Sequence, residues 1–493
     1  MKLKNILLGL AALAALSSCS KDFLEQENPN QPTVEQFWRN EVDALAAINA
    51  TYAPLTFQYR YGFFEYGWGP ENWRSDECIY ASSYPAFSQI ATFINDAQVA
   101  EIAELYANCY QMVNRANQCV EGLPKCNMAA EKVTSMVAEA RFLRAYAYIK
   151  LLNNFRYIPF YPASPKDKEG IYVAQADRAT VFALVESDLQ EAMNTLPATR
   201  VGNELGRATS GSAAGFLAYA LVRQQKYADA DLLLKKIIKG DYGNYDLLPI
   251  AQYSQNYNGA NENNIESLFE IQMANVAPKG KTANILQAEL LAWQEANASA
   301  WIYSQFMVEK DKDNNVDSRY YASMISPALD FETPLGKYEF LSDQNTGRNL
   351  ILKHTTGSWE PWEKWENNYV LLRFSDILLL EAEVQNELGH TDDALAYINR
   401  VRGRANKADL PTGLTKEQFR LKLMDERALE LCFEGKRWYD LVRWHEAGWF
   451  NIKDVLTAHG KLGVANFSDK YLYYPIPESE YETNPKLDRN KQW

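Results

Sequence analysis

The chain has 493 residues, 47% of them hydrophobic, which is enough for one large helical body or about three average domains. Asp and Glu number 63 against 50 Lys and Arg, a formal net charge of −13 that excludes the basic face a nucleic-acid binder needs. That balance suits a soluble surface and a neutral ligand.

Lys2 and Lys4 precede an apolar run, Ile6–Leu16, that is too short to span a bilayer and predicts a signal peptide over residues 1–18. Leu16-Ser17-Ser18-Cys19 resembles the lipobox of bacterial lipoproteins. Cleavage before Cys19 would free its amine and leave its thiol to carry diacylglycerol, an anchor that works through buried methylenes. Residues 19–31 then form the lipidated Cys and a polar tether, and one body runs over 32–493. No later segment reaches the roughly eighteen apolar residues of a membrane span.

Val34–Tyr52 has helical spacing, with Phe37, Ala44, Ala47, Ile48 and Tyr52 on one side. Tyr59–Trp73 has no clean period and is broken by Gly62, Gly67, Gly69 and Pro70, which predicts an aromatic loop. Helices follow at Val99–Leu123 and Thr134–Leu152, and the latter pairs with Thr180–Leu196 across a proline-rich connection. Ala214–Ile238 and Leu371–Ala405 each predict two antiparallel helices. Ala230, Leu234 and Ile237 keep the steps of Ala394, Ile398 and Val401, and Ala214, Ala218 and Ala220 fall opposite Leu378, Ala382 and Val384. This is a tetratricopeptide-type helix pair written twice. Gly389 is placed to end one helix and Thr391 to cap the next.

Between these pairs the regular signals fade, so 241–368 reads as a loop-rich insertion with a short strand near Ser267–Gln272. Segments 32–240 and 369–493 form the mainly α scaffold, with few short strands overall. Glu417–Glu434 predicts a further helix. Around it Arg427, Glu430, Glu434, Arg437 and Asp440 mix charges into an apolar run, which predicts a buried network locking the last helices onto the scaffold.

Chemistry-bearing motifs are few. There is no GxSxG, P-loop or HExxH, and no catalytic residue is assigned. His354, His390, His445 and His459 are scattered and no CxxC occurs, so neither zinc nor any other cofactor is implied. Asp311, Asp313, Asn315 and Asp317 imitate a calcium loop, but Val316 and Ala322 stand where an EF-hand needs Gly and Glu. Cys119–Cys126 and Cys78–Cys109 are open as disulfides, while Cys109 and Cys119 share a helix at roughly 15 Å and cannot bond.

Aromatics are the informative class, with 12 Trp and 30 Tyr. A sugar offers flat C–H faces and hydroxyl edges, so its site needs exposed rings rimmed by amides, carboxylates or guanidinium groups. Tyr66, Trp68, Asn72, Trp73, Arg74 and Asp76 supply both kinds in one loop and are the first candidates for ligand contact. Trp293 and Trp301 come next, on one face if Ile285–Val308 is helical, with Trp359, Trp362 and Trp365 behind them.

Several segments, in order along nearly the whole chain, look like family signatures. They are Glu139-Ala-Arg-Phe-Leu-Arg-Ala145, Asp188-Leu-Gln-Glu-Ala192, Leu372-Arg-Phe-Ser-Asp376, Val401-Arg402, Arg427-Ala-Leu-Glu-Leu431 with Phe433-Glu-Gly-Lys-Arg437-Trp438-Tyr-Asp440, and Tyr474-Pro-Ile-Pro477 with Asn484-Pro485. Together they resemble the SusD/RagB family of outer-membrane lipoproteins from Bacteroidetes-type bacteria. The resemblance implies a TPR-like scaffold of four helix pairs. It also implies a non-enzymatic glycan-binding lid over a TonB-dependent, SusC-like outer-membrane transporter, held to the outer membrane by lipid on Cys19 and facing the cell exterior. Surface-exported members carry acidic residues just after the lipidated Cys, whereas Ser20-Lys21-Asp22 has one. Two rival functions follow from other features: a TPR-type scaffold binding peptides or proteins, and a lipoprotein glycosidase.

Overall fold

The computed structural model describes residues 37–56, 58–59, 63–64, 69–80, 84–274, 284, 286–341, 347–360 and 365–491. The signal peptide, Cys19, Tyr66, Trp68 and Trp362 lie outside these residues.

Helix formation follows the periodic stretches. The principal helices are α1 (Glu41–Tyr52), α2 (Ala100–Gly122), α3 (Ala130–Asn154), α4 (Arg178–Thr195), α5 (Ser210–Arg223), α6 (Tyr227–Lys239), α7 (Ala300–Val308), α8 (Phe374–Glu387), α9 (Thr391–Arg404), α10 (Lys416–Leu431) and α11 (Arg437–Glu446). Side chains satisfy several helix starts: Asn40 caps α1, and capping boxes open α5 (Thr209 with Ser212) and α10 (Thr415 with Gln418). Gly240 ends α6 at φ 95°, and Gly389 turns at φ 88° between α8 and α9. Thr391, expected to cap α9, instead donates its hydroxyl to Asn386 Oδ1 at 2.8 Å, which closes the turn from the other side.

Each scaffold helix packs on the next, from α1–α2 through α3–α4 and α5–α6 to α8–α9, with α6 resting on α8 across the insertion. The result is a mainly α, TPR-like stack of antiparallel pairs. Ala214, Ala218, Ala220 and Ala382 are all fully buried, as close helix approach requires. Gly215 on α5 is as tight against the strand that precedes α8: an added Cβ would stand 2.5 Å from Leu372 Cδ2.

The principal strands are β1 (Cys78–Tyr80), β2 (Ser267–Ile271), β3 (Ala296–Ala298), β4 (Met324–Ile325), β5 (Asn349–Ile351) and β6 (Tyr369–Arg373). β2 pairs antiparallel with β6, which ties the insertion to the residues that enter α8. A four-stranded antiparallel sheet, order β1-β3-β5-β4, joins the N-terminal aromatic segment to the insertion. Ile285–Val308 is therefore not one helix. A π turn at Ala288–Ala292 is followed by Gln294 at φ 49°, then β3, then α7. Pairing β3 on both edges gives its backbone partners that a helix would have had to find within itself.

Helix α10 carries charge on two sides, and both are buried. Arg427 pairs with Asp376 and Asp440 at 2.9 and 2.8 Å, on the scaffold side. Arg319 from the insertion reaches Glu426 (2.6 Å) and Glu430 (3.0 Å), and Lys353 reaches Glu434 (2.9 Å). Arg373, at the end of β6, binds Glu266, Glu430 and Glu434. Buried charges persist only when paired, so this lattice holds scaffold and insertion in one arrangement. The five described cysteines are all buried thiols, so neither open disulfide forms.

Candidate functional site

The segment before β1 is where the sequence concentrated its candidates. Gly69–Trp73 forms a short helix within the stretch whose glycines predict a loop. An added Cβ on Gly69 would stand 2.7 Å from the Trp73 ring, so glycine here makes room for the indole folding back. Trp73 itself is fully buried, its ring centroid 4.6 Å from Phe87 and 5.2 Å from Tyr80.

Its neighbours are equally interior, and each has a structural partner. Asn72 accepts a hydrogen bond from Gly435 N (3.3 Å). Arg74 donates to Asn154 Oδ1 (2.8 Å) with its guanidinium over Tyr474 (3.9 Å) and Trp438 (4.8 Å). Asp76 binds Arg437 (2.9 Å) and His459 Nδ1 (2.7 Å). Burial opposes its charge, but Arg437 and His459 outweigh it and hold the carboxyl below the ordinary range. The expectation that Asn72, Trp73, Arg74 and Asp76 contact ligand is thus corrected. Tyr80, Tyr84 and Phe87, just downstream, provide enough apolar surface to draw the ring inward, and distant cations draw in the acid.

Trp293 behaves differently. It follows the π turn, keeps 38% of its surface exposed, and stands three residues before β3. Three residues on, Ala296 pairs with Tyr80, whose ring packs against Trp73 and Phe87. Four residues before Trp293, Glu289 is buried, and its carboxyl oxygens accept no hydrogen bond among the described residues. Burial first, and then Glu295, raise its pKa well above the usual range. Sequence reasoning missed Glu289; its signal was an acid inside the apolar run Leu286–Ala292.

Trp301 is half-buried and stacks on His459 at 4.1 Å with Arg437 4.8 Å from its ring. Both partners are held by Asp76, so this ring leans on the core lattice and does not share a helix face with Trp293. Of the later cluster, Trp365 is buried with its indole N–H bonded to Ser358 O (2.9 Å). A further cavity of about 360 Å³ lies in the insertion, where exposed Tyr321 meets Phe331 edge-on at 5.0 Å near Asn258, Thr333 and Thr355.

Among the described residues no group of three or more His, Cys, Asp or Glu side chains could hold a metal ion. Asp317, counted in the calcium-like loop, is buried against Arg319 at 2.7 Å. No helix of the described residues is long and apolar enough to cross a membrane.

A stack of TPR-like helix pairs welded by buried charge to a strand-and-loop insertion, with aromatic rings at the junction, defines a class of binding body. This chain belongs to the SusD family, whose model matches residues 238–493; a second model, described as starch-binding associating with outer membrane, matches residues 22–220. SusD-like protein P25 of Formosa agariphila is 24% identical over 99% of this chain and 98% of its own length. The starch-binding protein SusD of Bacteroides thetaiotaomicron is 32% identical over a shorter stretch, 24% of this chain and 21% of that protein. Among solved structures, a SusD superfamily protein from Bacteroides vulgatus superposes with a TM-score of 0.81 at 26% identity, covering 93% of this chain and 100% of that one. A laminarin-binding SusD-like protein shares the fold with a TM-score of 0.74 at 23% identity, covering 92% and 99%.

Proposed function

We propose that the protein captures oligosaccharide or polysaccharide at the outer membrane and delivers it, uncleaved, to a TonB-dependent SusC-like transporter. It is held there by lipid on Cys19 and faces the cell exterior. Family membership supports this reading, as do the starch and laminarin bound by the relatives that carry those names. The observation that carries the site is the exposed Trp293 ring, three residues before the strand whose Ala296 pairs with Tyr80. Tyr66 and Trp68 are proposed as further ligand contacts, with Trp301 beside them in the same proposal.

A glycan array probed with full-length protein identifies the ligand, and calorimetry with the best hit tests the site. Trp293→Ala keeps the melting temperature and weakens binding at least tenfold. Trp73→Ala instead lowers stability by about 3–5 kcal/mol, as for any fully buried large ring. Unaltered affinity in Trp293→Ala moves the site, and release of shorter sugars from the array hit refutes the non-enzymatic reading.

A further inference from the structure

On the scaffold flank, far in sequence from Trp293, helix α2 presents Tyr106, Tyr110 and Asn114 along one face of a cleft of about 360 Å³. Tyr161 and Ile171 from the connection after α3 form another wall, and Glu480 closes the end. The rings are fixed rather than loose. Tyr110 lies 4.6 Å from Tyr106 and 5.9 Å from Tyr161, its hydroxyl donates to Pro159 O (2.6 Å), and that of Tyr161 donates to Ile171 O (2.7 Å).

Among the described residues Glu480 is the only charged side chain lining the cleft, and its carboxylate has neither hydrogen bond nor ion pair there. Burial raises its pKa, so the bare carboxylate is incompletely solvated where it stands. The cation behind the wall, Arg144, is spent on buried Asp188 at 2.7 Å and on Asn117 Oδ1 at 2.7 Å. The cleft thus combines a lining of tyrosine rings with one carboxylate that has no counter-charge among the described residues, a combination that attracts organic cations. A neutral sugar would gain stacking but would leave the carboxylate without a counter-charge.

We propose that this tyrosine cleft is a second ligand site, independent of the glycan site, that takes a small organic ammonium group against Tyr106, Tyr110 and Tyr161 with Glu480 as its counter-ion. Calorimetry of full-length protein in detergent with choline, glucosamine and glucose tests it. Choline and glucosamine bind, glucose at the same concentration does not, and Glu480→Gln weakens the ammonium ligands at least tenfold without lowering the melting temperature. Tyr110→Phe, which keeps the ring, retains binding. Equal binding of glucose overturns the proposal in favour of a neutral-sugar cleft. Failure of both ammonium probes, or their unchanged affinity in Glu480→Gln, overturns it outright.

Discussion

Asp76 and Glu77 are adjacent in the chain, both buried, and titrate in opposite directions. Burial disfavours the charge of each, but Asp76 faces Arg437 and His459 and stays below the usual carboxylate range. Glu77 has no such cation in contact: burial, and then the charge of Asp76, push it up to about 8. The stability Asp76 contributes is present above its unfolded pKa of about 4 and is lost as pH falls through its folded value. At Glu77 the sign reverses. Its contribution is complete below about 4.3 and disappears as pH rises through about 8, because the folded state holds the proton that the unfolded chain has released. Glu77→Gln keeps an acceptor for Phe433 N, which Glu77 meets at 3.0 Å. The variant should melt close to the parent at pH 4.5 and increasingly above it as pH climbs to 8. Melts at several pH values check this, and a pH-independent gap shows that Glu77 ionises as readily folded as unfolded.

At the scale of elements, Ala218 on α5 and Ala382 on α8 sit where neighbouring helices approach closely, and both are fully buried. A phenyl ring at either has no space to enter, so Ala218→Phe and Ala382→Phe should each cost at least about 1–3 kcal/mol in chemical denaturation. Leu232→Phe, on the exposed face of α6, is the control that should change little. These positions were legible because a helix writes its buried face at intervals of three and four residues, and Leu378, Ala382 and Ala230, Leu234 do so plainly. β2 was legible as a short apolar run. β3 was not: its partners are residues 78–80 and 349–351, hundreds and tens of positions away, and an apolar stretch of that length fits helix equally well. The same non-locality hid the fate of Trp73, Arg74 and Asp76. Composition correctly marked them as rich in rings and polar groups, but the partners that bury them, Tyr474, Asn154 and Arg437, come from other parts of the chain.

Across the whole molecule, long-range ion pairs bind the two ends of the chain together. Asp76 holds Arg437, Arg223 holds Glu446, and Lys353 holds Glu434, so the body has no seam at which the insertion could swing freely from the scaffold. Such a body can be tethered at one point and still present its aromatic junction in a fixed relation to the rest of its surface. The proposed tether is Cys19. On that proposal, the acyl chains of Cys19 hold the protein to the membrane through their buried methylenes. Cys19→Ala should therefore move the protein from the membrane fraction to the soluble fraction, with an unchanged melting temperature. Retention of the variant after a high-salt wash would assign the attachment to a partner or another anchor. Labelling of intact cells reads orientation separately: a parent protein that fractionates with membranes but escapes a membrane-impermeant label faces inward, and would then be unable to capture glycan outside the cell.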